Sequence, residues 1–248
     1  MDRGLYIAMS GAKQNLLAQA ANVNNLANAN TTGFKADMEQ FRSMPVFGPG
    51  FPTRIYAMTE RPGVNLAQGQ LYTTGRELDV AVNGEGFIAV AGQNGQEAYT
   101  RAGELRATPT GQLQTGAGLP VLGNNGPIVI PPAQKLTIGQ DGTISIIPLG
   151  SNATNTAVID RIKLVNPPLK NLEKHLDGEL YLKDAAAIAP DANVALVQGA
   201  LEGSNANPIA GMAEMIELAR NFELQTKVMQ QIDENSGVSA RLMQMQTA

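Results

Sequence analysis

The chain has 248 residues, a formal net charge of −4 and no cysteine. Without Cys there is no disulfide, thiolate metal site or cysteine nucleophile, and without a run of Lys or Arg nothing is built to track a phosphate backbone. Aromatic residues make up only 4% of the chain, with no Trp, which argues against a large enzyme-type core built on rings. The longest apolar runs, such as Phe87 to Ala91, are too short to cross a bilayer.

Residues 4–34 carry a single charged residue, Lys13, among many Ala, Asn, Gln and Leu. The opening Leu5-Tyr6-Ile7-Ala8-Met9 turns polar at Gln14, Asn15, Gln19 and Asn22, so it does not read as a cleaved secretory signal. Leu5, Met9, Ala12, Leu16, Val23 and Leu26 fall on a heptad seam interrupted by Gln19, which predicts a helix within residues 1–34 that ends between Asn28 and Gly33. A solvated helix normally carries Lys and Glu on its outer face. Their absence predicts close neighbours on several sides. Asn is also a poor helix former, so this segment is expected to gain its shape by packing within an assembly of chains rather than alone.

Residues 35–70 read as an extended linker, rich in Gly and Pro from residue 45 onward. Residues 71–200 read as an antiparallel β domain. Leu78, Val80 and Val82 alternate with Asp79, Ala81 and Asn83. Asn83-Gly84 and Asp141-Gly142 are two-residue hairpin signals, and Ala157 to Val165 is a further strand. Residues 201–248 are assigned to a C-terminal helix, which Asn207-Pro208 would cap. Ile209, Met212, Ile216, Ala219, Phe222, Met229 and Ile232 mark one apolar face. Such a helix would be roughly 58 Å long and would project beyond a domain of this size. The expected class is mixed α and β: a central antiparallel β domain flanked by long N- and C-terminal helices that pack together in an axial assembly. The two apolar faces are the candidate assembly interface.

Three sets of motifs carry a resemblance. The first is Ala8-Met9-Ser10-Gly11-Ala12 followed by Asn24-Asn25-Leu26-Ala27-Asn28-Ala29-Asn30-Thr31-Thr32-Gly33-Phe34-Lys35. The second is Leu78-Asp79-Val80-Ala81-Val82-Asn83-Gly84-Glu85-Gly86-Phe87, continued by Tyr99-Thr100-Arg101-Ala102-Gly103 and Gly111-Gln112-Leu113. The third is Leu201-Glu202-Gly203-Ser204-Asn205, then Met215-Ile216, Arg220 and Phe222. Together they resemble the flagellar rod and hook family, over both ends and the middle of the chain. The likeness is nearer to the proximal-rod branch than to the distal-rod branch, whose β motif usually has two Phe where this chain has Phe87-Ile88.

The resemblance implies a torque-transmitting structural subunit without a cofactor. It implies export through the flagellar type III apparatus without signal cleavage, and assembly in the periplasmic space. The helices would lie in the rod core and the β domain outside. Proximal and distal rod subunits, copies of the same chain, the export apparatus and the rod cap would be the partners.

Catalytic readings find little to stand on. His175 is the single histidine, with no carboxylate pair spaced around it for a metal, and no Ser lies in a Gly-x-Ser-x-Gly elbow. Asp79 and Glu85 flank the Asn83-Gly84 turn and could in principle form a glycosidase pair acting on cell wall; as ordinary hairpin acids they need no such role. A secreted binding module with a small closed coiled coil is the other competing class. No catalytic, cofactor or metal residue is assigned.

Overall fold

A computed structural model describes residues 4–47, 51, 54–93, 95–150, 156–184 and 187–245. The chain divides into two compact units. One draws on residues 1–27, 37–63 and 206–248, the other on 28–36 and 64–205.

The first unit contains two helices, α1 (Gly4–Ala27) and α2 (Pro208–Met245), with a two-stranded sheet of β1 (Asp37–Pro45) and β2 (Ile55–Val64). α1 stops where Asn28, Ala29 and Asn30 follow: asparagine hydrogen-bonds its own backbone and favours turns over helix. The helix therefore ends one residue before the 28–33 window expected from sequence, and residues 28–34 of the 1–34 segment lie outside it. α2 begins as the sequence indicates. Asn207 Oδ1 accepts from Ile209 N at 3.0 Å and Ala210 N at 3.2 Å, and Pro208 occupies the first helical position, where its missing N–H costs nothing. Its 38 residues span roughly 57 Å. Residues 201–207 lie outside α2, because Ala200–Glu202 is a strand. The extended linker expected over 35–70 is also corrected. β1 and β2 lie within it and pair with one another. Their apolar residues, Met38, Phe41, Ile55, Tyr56 and Met58 among them, are diluted by charges and Pro, which hid the strand period.

Among its described residues the second unit is all β apart from a short 3-10 turn at Leu169–Asn171. Its largest sheet has five strands in the order Leu164–Val165, Phe87–Ala91, Glu97–Thr100, Leu180–Leu182, Leu172–Lys174, every pair antiparallel. Both faces are covered. Ile88 and Val90 join Val82, Leu105, Leu113 and Ile144 in the larger core. Phe87 and Ala89 pack with Tyr99, Val165 and Leu180 on the opposite side. Burial on both faces is why Phe87 to Ala91 is continuously apolar instead of alternating. A three-stranded sheet of Ala133–Ile138, Thr143–Pro148 and Ala157–Arg161 completes the unit with several two-stranded pairs.

Two local expectations meet different outcomes. Asp141-Gly142 does sit in a hairpin between Ala133–Ile138 and Thr143–Pro148, in a four-residue turn closed by Gly142 N donating to Gly139 O at 3.0 Å. Asn83-Gly84 does not make a hairpin. Val80–Asn83 pairs with Ala195–Gln198, and Phe87–Ala91 joins the five-stranded sheet. Gly86 has φ +119°, and a Cβ there would lie 2.6 Å from Val194, so the chain is turned away from its neighbour and into another sheet. The strand expected over Ala157 to Val165 is interrupted, because Ile162 N bonds Gly142 O and Lys163 N bonds Leu122 O as the chain changes sheets.

One titratable group inside this unit gives a testable pH dependence. Glu179 is only 8% exposed. Burial, then opposed by a hydrogen bond with Thr100 and reinforced by the Asp177 charge, pushes its carboxyl up to about 7. A raised folded-state value means that the folded state holds the proton longer. The stabilising contribution is complete below the unfolded value near 4.5 and is lost as pH rises through about 7. Thermal melts of wild type and Glu179→Gln at pH 5 and pH 8 should therefore differ. The wild type loses up to about 3 kcal/mol between them through this group, while the Gln variant lacks that loss and is the more stable at pH 8.

Candidate assembly interface

α1 and α2 pack antiparallel. Asn22, near the end of α1, donates to Gly211 O at 2.8 Å at the start of α2, and Gly11 lies against Gln225. The α1 side of the seam is built from small residues, Ala8, Gly11, Ala12 and Ala18, all buried. A Cβ on Gly11 would be 3.2 Å from the Gln225 side chain, and one on Gly211 would be 3.1 Å from Asn22 Oδ1. The larger side chains come from α2: Met215, Leu218, Phe222, Gln225, Met229 and Ile232 are buried or half-buried, in one row that Gly211 opens. Their steps of four and three form an unbroken heptad, the geometry of knobs-into-holes packing.

The charge-poor circumference of α1, which carries only Lys13, is also partly accounted for within the unit. Asn25 forms a reciprocal pair with the start of β1, donating to Asp37 O at 2.9 Å and accepting from Asp37 N at 2.9 Å. Gln14 Oε1 accepts from Thr59 N of β2 at 3.0 Å. Amides can satisfy backbone groups on three sides where Lys and Glu could not be desolvated cheaply. The neighbours that the sequence led us to seek in other chains are partly elements of the same chain.

The thirteen residues assigned from sequence separate into two sets. Ala12 is buried; Leu26, Phe222, Met229 and Ile232 are half-buried, with Leu26 reaching Gly211. Leu5, Met9, Leu16 and Val23 on α1, and Ile209, Met212, Ile216 and Ala219 on α2, are exposed. Ile216 keeps 70% of its surface in contact with solvent and Leu16 keeps 49%. Each helix thus carries two stripes, one used inside the unit and one unpartnered. Between Ile7 and Ala8 of α1, Ile55 of β2, and Val228 and Ile232 of α2 lies an open groove of about 350 Å³. Sequence reasoning missed Ala8, Gly11, Ala18, Met215 and Leu218. Their three- and four-residue spacing was available, but bulkier neighbours drew the seam.

A second cluster, wholly inside the β unit, gathers residues from all three motif sets. Glu202 is fully buried. Its Oε1 accepts from Lys35 Nζ at 2.6 Å and from Gly69 N at 2.8 Å, and its Oε2 accepts from Arg101 Nη1 at 2.9 Å. Arg101 Nη2 also donates to Gly84 O at 2.8 Å, and its guanidinium lies 5.0 Å from the Phe87 ring centre. Burial draws the Lys35 ammonium below the ordinary lysine range, while the hydrogen bond and charge of Glu202 pull it back. Gly33 passes so close that a Cβ would lie 2.2 Å from Ala102 N, and its φ is +69°, so no other residue fits there without moving backbone.

Of the groups weighed for catalysis, Asp79 is held by its neighbours. Asp79 Oδ2 accepts from Thr74 Oγ1 at 2.7 Å, and Arg76 Nε lies 3.2 Å from Oδ1. Glu85 is exposed on its turn. His175 is exposed and rests on Tyr181, ring centres 4.3 Å apart.

The class defined here is a two-helix unit sealed by small residues, with a second apolar stripe left exposed on each helix, in one chain with a β unit. The comparisons give that class a family. The model described as flagella basal body rod protein matches residues 5–35, the flagellar hook protein FlgE/F/G D1 domain matches 81–146, and the flagellar basal body rod FlgEFG protein C-terminal matches 197–242. The flagellar basal-body rod protein FlgF of Salmonella typhimurium is 40% identical over 99% of this chain and 100% of its own length. That of Caulobacter vibrioides is 34% identical over 92% of this chain and 93% of its own. The flagellar basal-body rod protein FlgG of Bacillus subtilis is 32% identical over 94% of this chain and 96% of its own. The chain belongs to the flagellar basal-body rod family, in its FlgF group.

Proposed function

We propose that the chain is a structural subunit of the bacterial flagellar basal-body rod, in its proximal part, and that it transmits torque through its helices. The observation that carries this is the pair of unpartnered apolar stripes, Leu5 to Val23 on α1 and Ile209 to Ala219 on α2. They lie in the segments that match the rod-family models at 5–35 and 197–242.

Burying each such side chain contributes about 1.5–3 kcal/mol, repeated along an axial stack of subunits. Torsional load is then spread over many small contacts. Copies of the same chain and other rod subunits supply the covering surfaces, with the helices in the rod core and the β unit outside it. The chain reaches the periplasmic space through the flagellar export apparatus and assembles beneath the rod cap.

Complementation tests the reading directly. In a motile bacterium deleted for its own FlgF-type protein, this chain should restore swimming and co-purify with isolated basal bodies. A chain that is exported and folded, yet absent from basal bodies, would overturn the proposal. A stable closed dimer or trimer of the purified chain by sedimentation would instead favour a self-contained coiled coil.

A further inference from the structure

The chain crosses between its two units four times, after Ala27, Ala36, Gly63 and Asn205. We infer that Asn205 and Glu202 form a latch that holds the β-unit side of all four crossings together. Asn205 uses its whole side-chain amide for this. Its Oδ1 accepts from Ala36 N at 2.8 Å, and its Nδ2 donates to Asn65 O at 2.6 Å and Ala67 O at 3.0 Å. Asn65 N in turn donates to Ala36 O at 2.8 Å.

Glu202 ties the remaining pieces. Its backbone oxygen accepts from Gly33 N at 2.8 Å, and its carboxylate takes Lys35 Nζ and Gly69 N. Lys35 Nζ also donates to Ala67 O at 2.8 Å. Three short segments, Gly33 to Ala36, Asn65 to Gly69 and Glu202 to Asn205, are bound at one place, each within a few residues of a crossing. The segment between the first two crossings runs only from residue 28 to residue 36. A slip of any one by a single residue breaks bonds to both others. Asn205 suits the position because a carboxamide presents donors and an acceptor at once; Ala offers neither, and Asp offers only acceptors.

The mechanical use of the latch rests on the rod reading, in which the helices carry load and the chain runs from them into the β unit at these crossings. Its existence does not, and hydrogen exchange on the purified full-length chain tests it separately. In Asn205→Ala the Ala36 amide and the Asn65 to Ala67 stretch should exchange about tenfold faster or more, while Ile88 and Val90 keep their protection. Asn205→Asp keeps the acceptor for Ala36 N and loses both donors. It should restore the Ala36 amide and leave the Asn65 to Ala67 stretch fast. In cells, the Asn205→Ala chain should still enter basal bodies but fail first in viscous medium. Unchanged exchange at Ala36 in Asn205→Ala, or an equal rise at Ile88 and Val90, would overturn the latch. Failure of the wild-type chain to enter basal bodies would overturn only the rod reading.

Discussion

Leu16→Asp and Ile216→Asp are each expected to abolish incorporation into the rod while leaving the isolated chain folded. Both side chains face solvent in the single chain, and exposed substitutions usually change stability by no more than about 0.5 kcal/mol. Circular dichroism melts of the purified variants should therefore overlay the wild type. Once covered by a neighbouring chain, the new carboxylate has to be desolvated without a partner, which costs several times what the lost apolar contact contributed. The penalty recurs in every subunit, so the expected phenotype is loss of swimming. A variant that swims normally would show that these stripes are not interface. As a contrast, Leu218→Asp should unfold the helix pair itself, since Leu218 is buried within the chain's own seam.

Glu202→Ala is expected to destabilise the β unit by about 3–5 kcal/mol, read from urea unfolding followed by circular dichroism. Lys35 and Arg101 would remain as two buried positive groups with no counter-charge, and breaking a buried ion pair from one side is far more costly than the pair is worth. Gly69 N would lose its acceptor as well. Glu202→Gln, which preserves shape and one acceptor oxygen, should fall between wild type and Ala. Equal stability of Ala and wild type would mean that water takes over the role of the carboxylate.

The outcome of each sequence expectation follows from what kind of information it needed. α2 was legible because its cap and its period are local: Asn207, Pro208 and an apolar residue every third or fourth position. Which stripe faces the partner helix was not legible. Both stripes of α2 have helical spacing, and Ile209, Met212 and Ile216 are as apolar as Met215 and Leu218. On α1 the buried side is the one with the smallest side chains, opposite to the usual rule that bulk marks the interior, because close helix approach favours Gly and Ala. The two strands within 35–70 were hidden by Gly and Pro and by charged residues that break the alternation of their apolar positions. The failed hairpin at Asn83-Gly84 turned on Val194, more than a hundred residues away. Lys35, Arg101 and Glu202 were visible as motif letters, but their meeting depends on three distant segments and no spacing rule reports it.

The seam residues named above, Ala8 to Asn22 on α1 and Gly211 to Ile232 on α2, present amides, methyl groups, thioethers and one aromatic ring, and none of them is charged. Dissolved salt screens charges over a Debye length of about 8–10 Å and has little purchase on contacts of this kind. The cohesion of the helix pair should then be nearly indifferent to ionic strength, so a bacterium moving between fresh and saline water would keep the same stiffness at this joint.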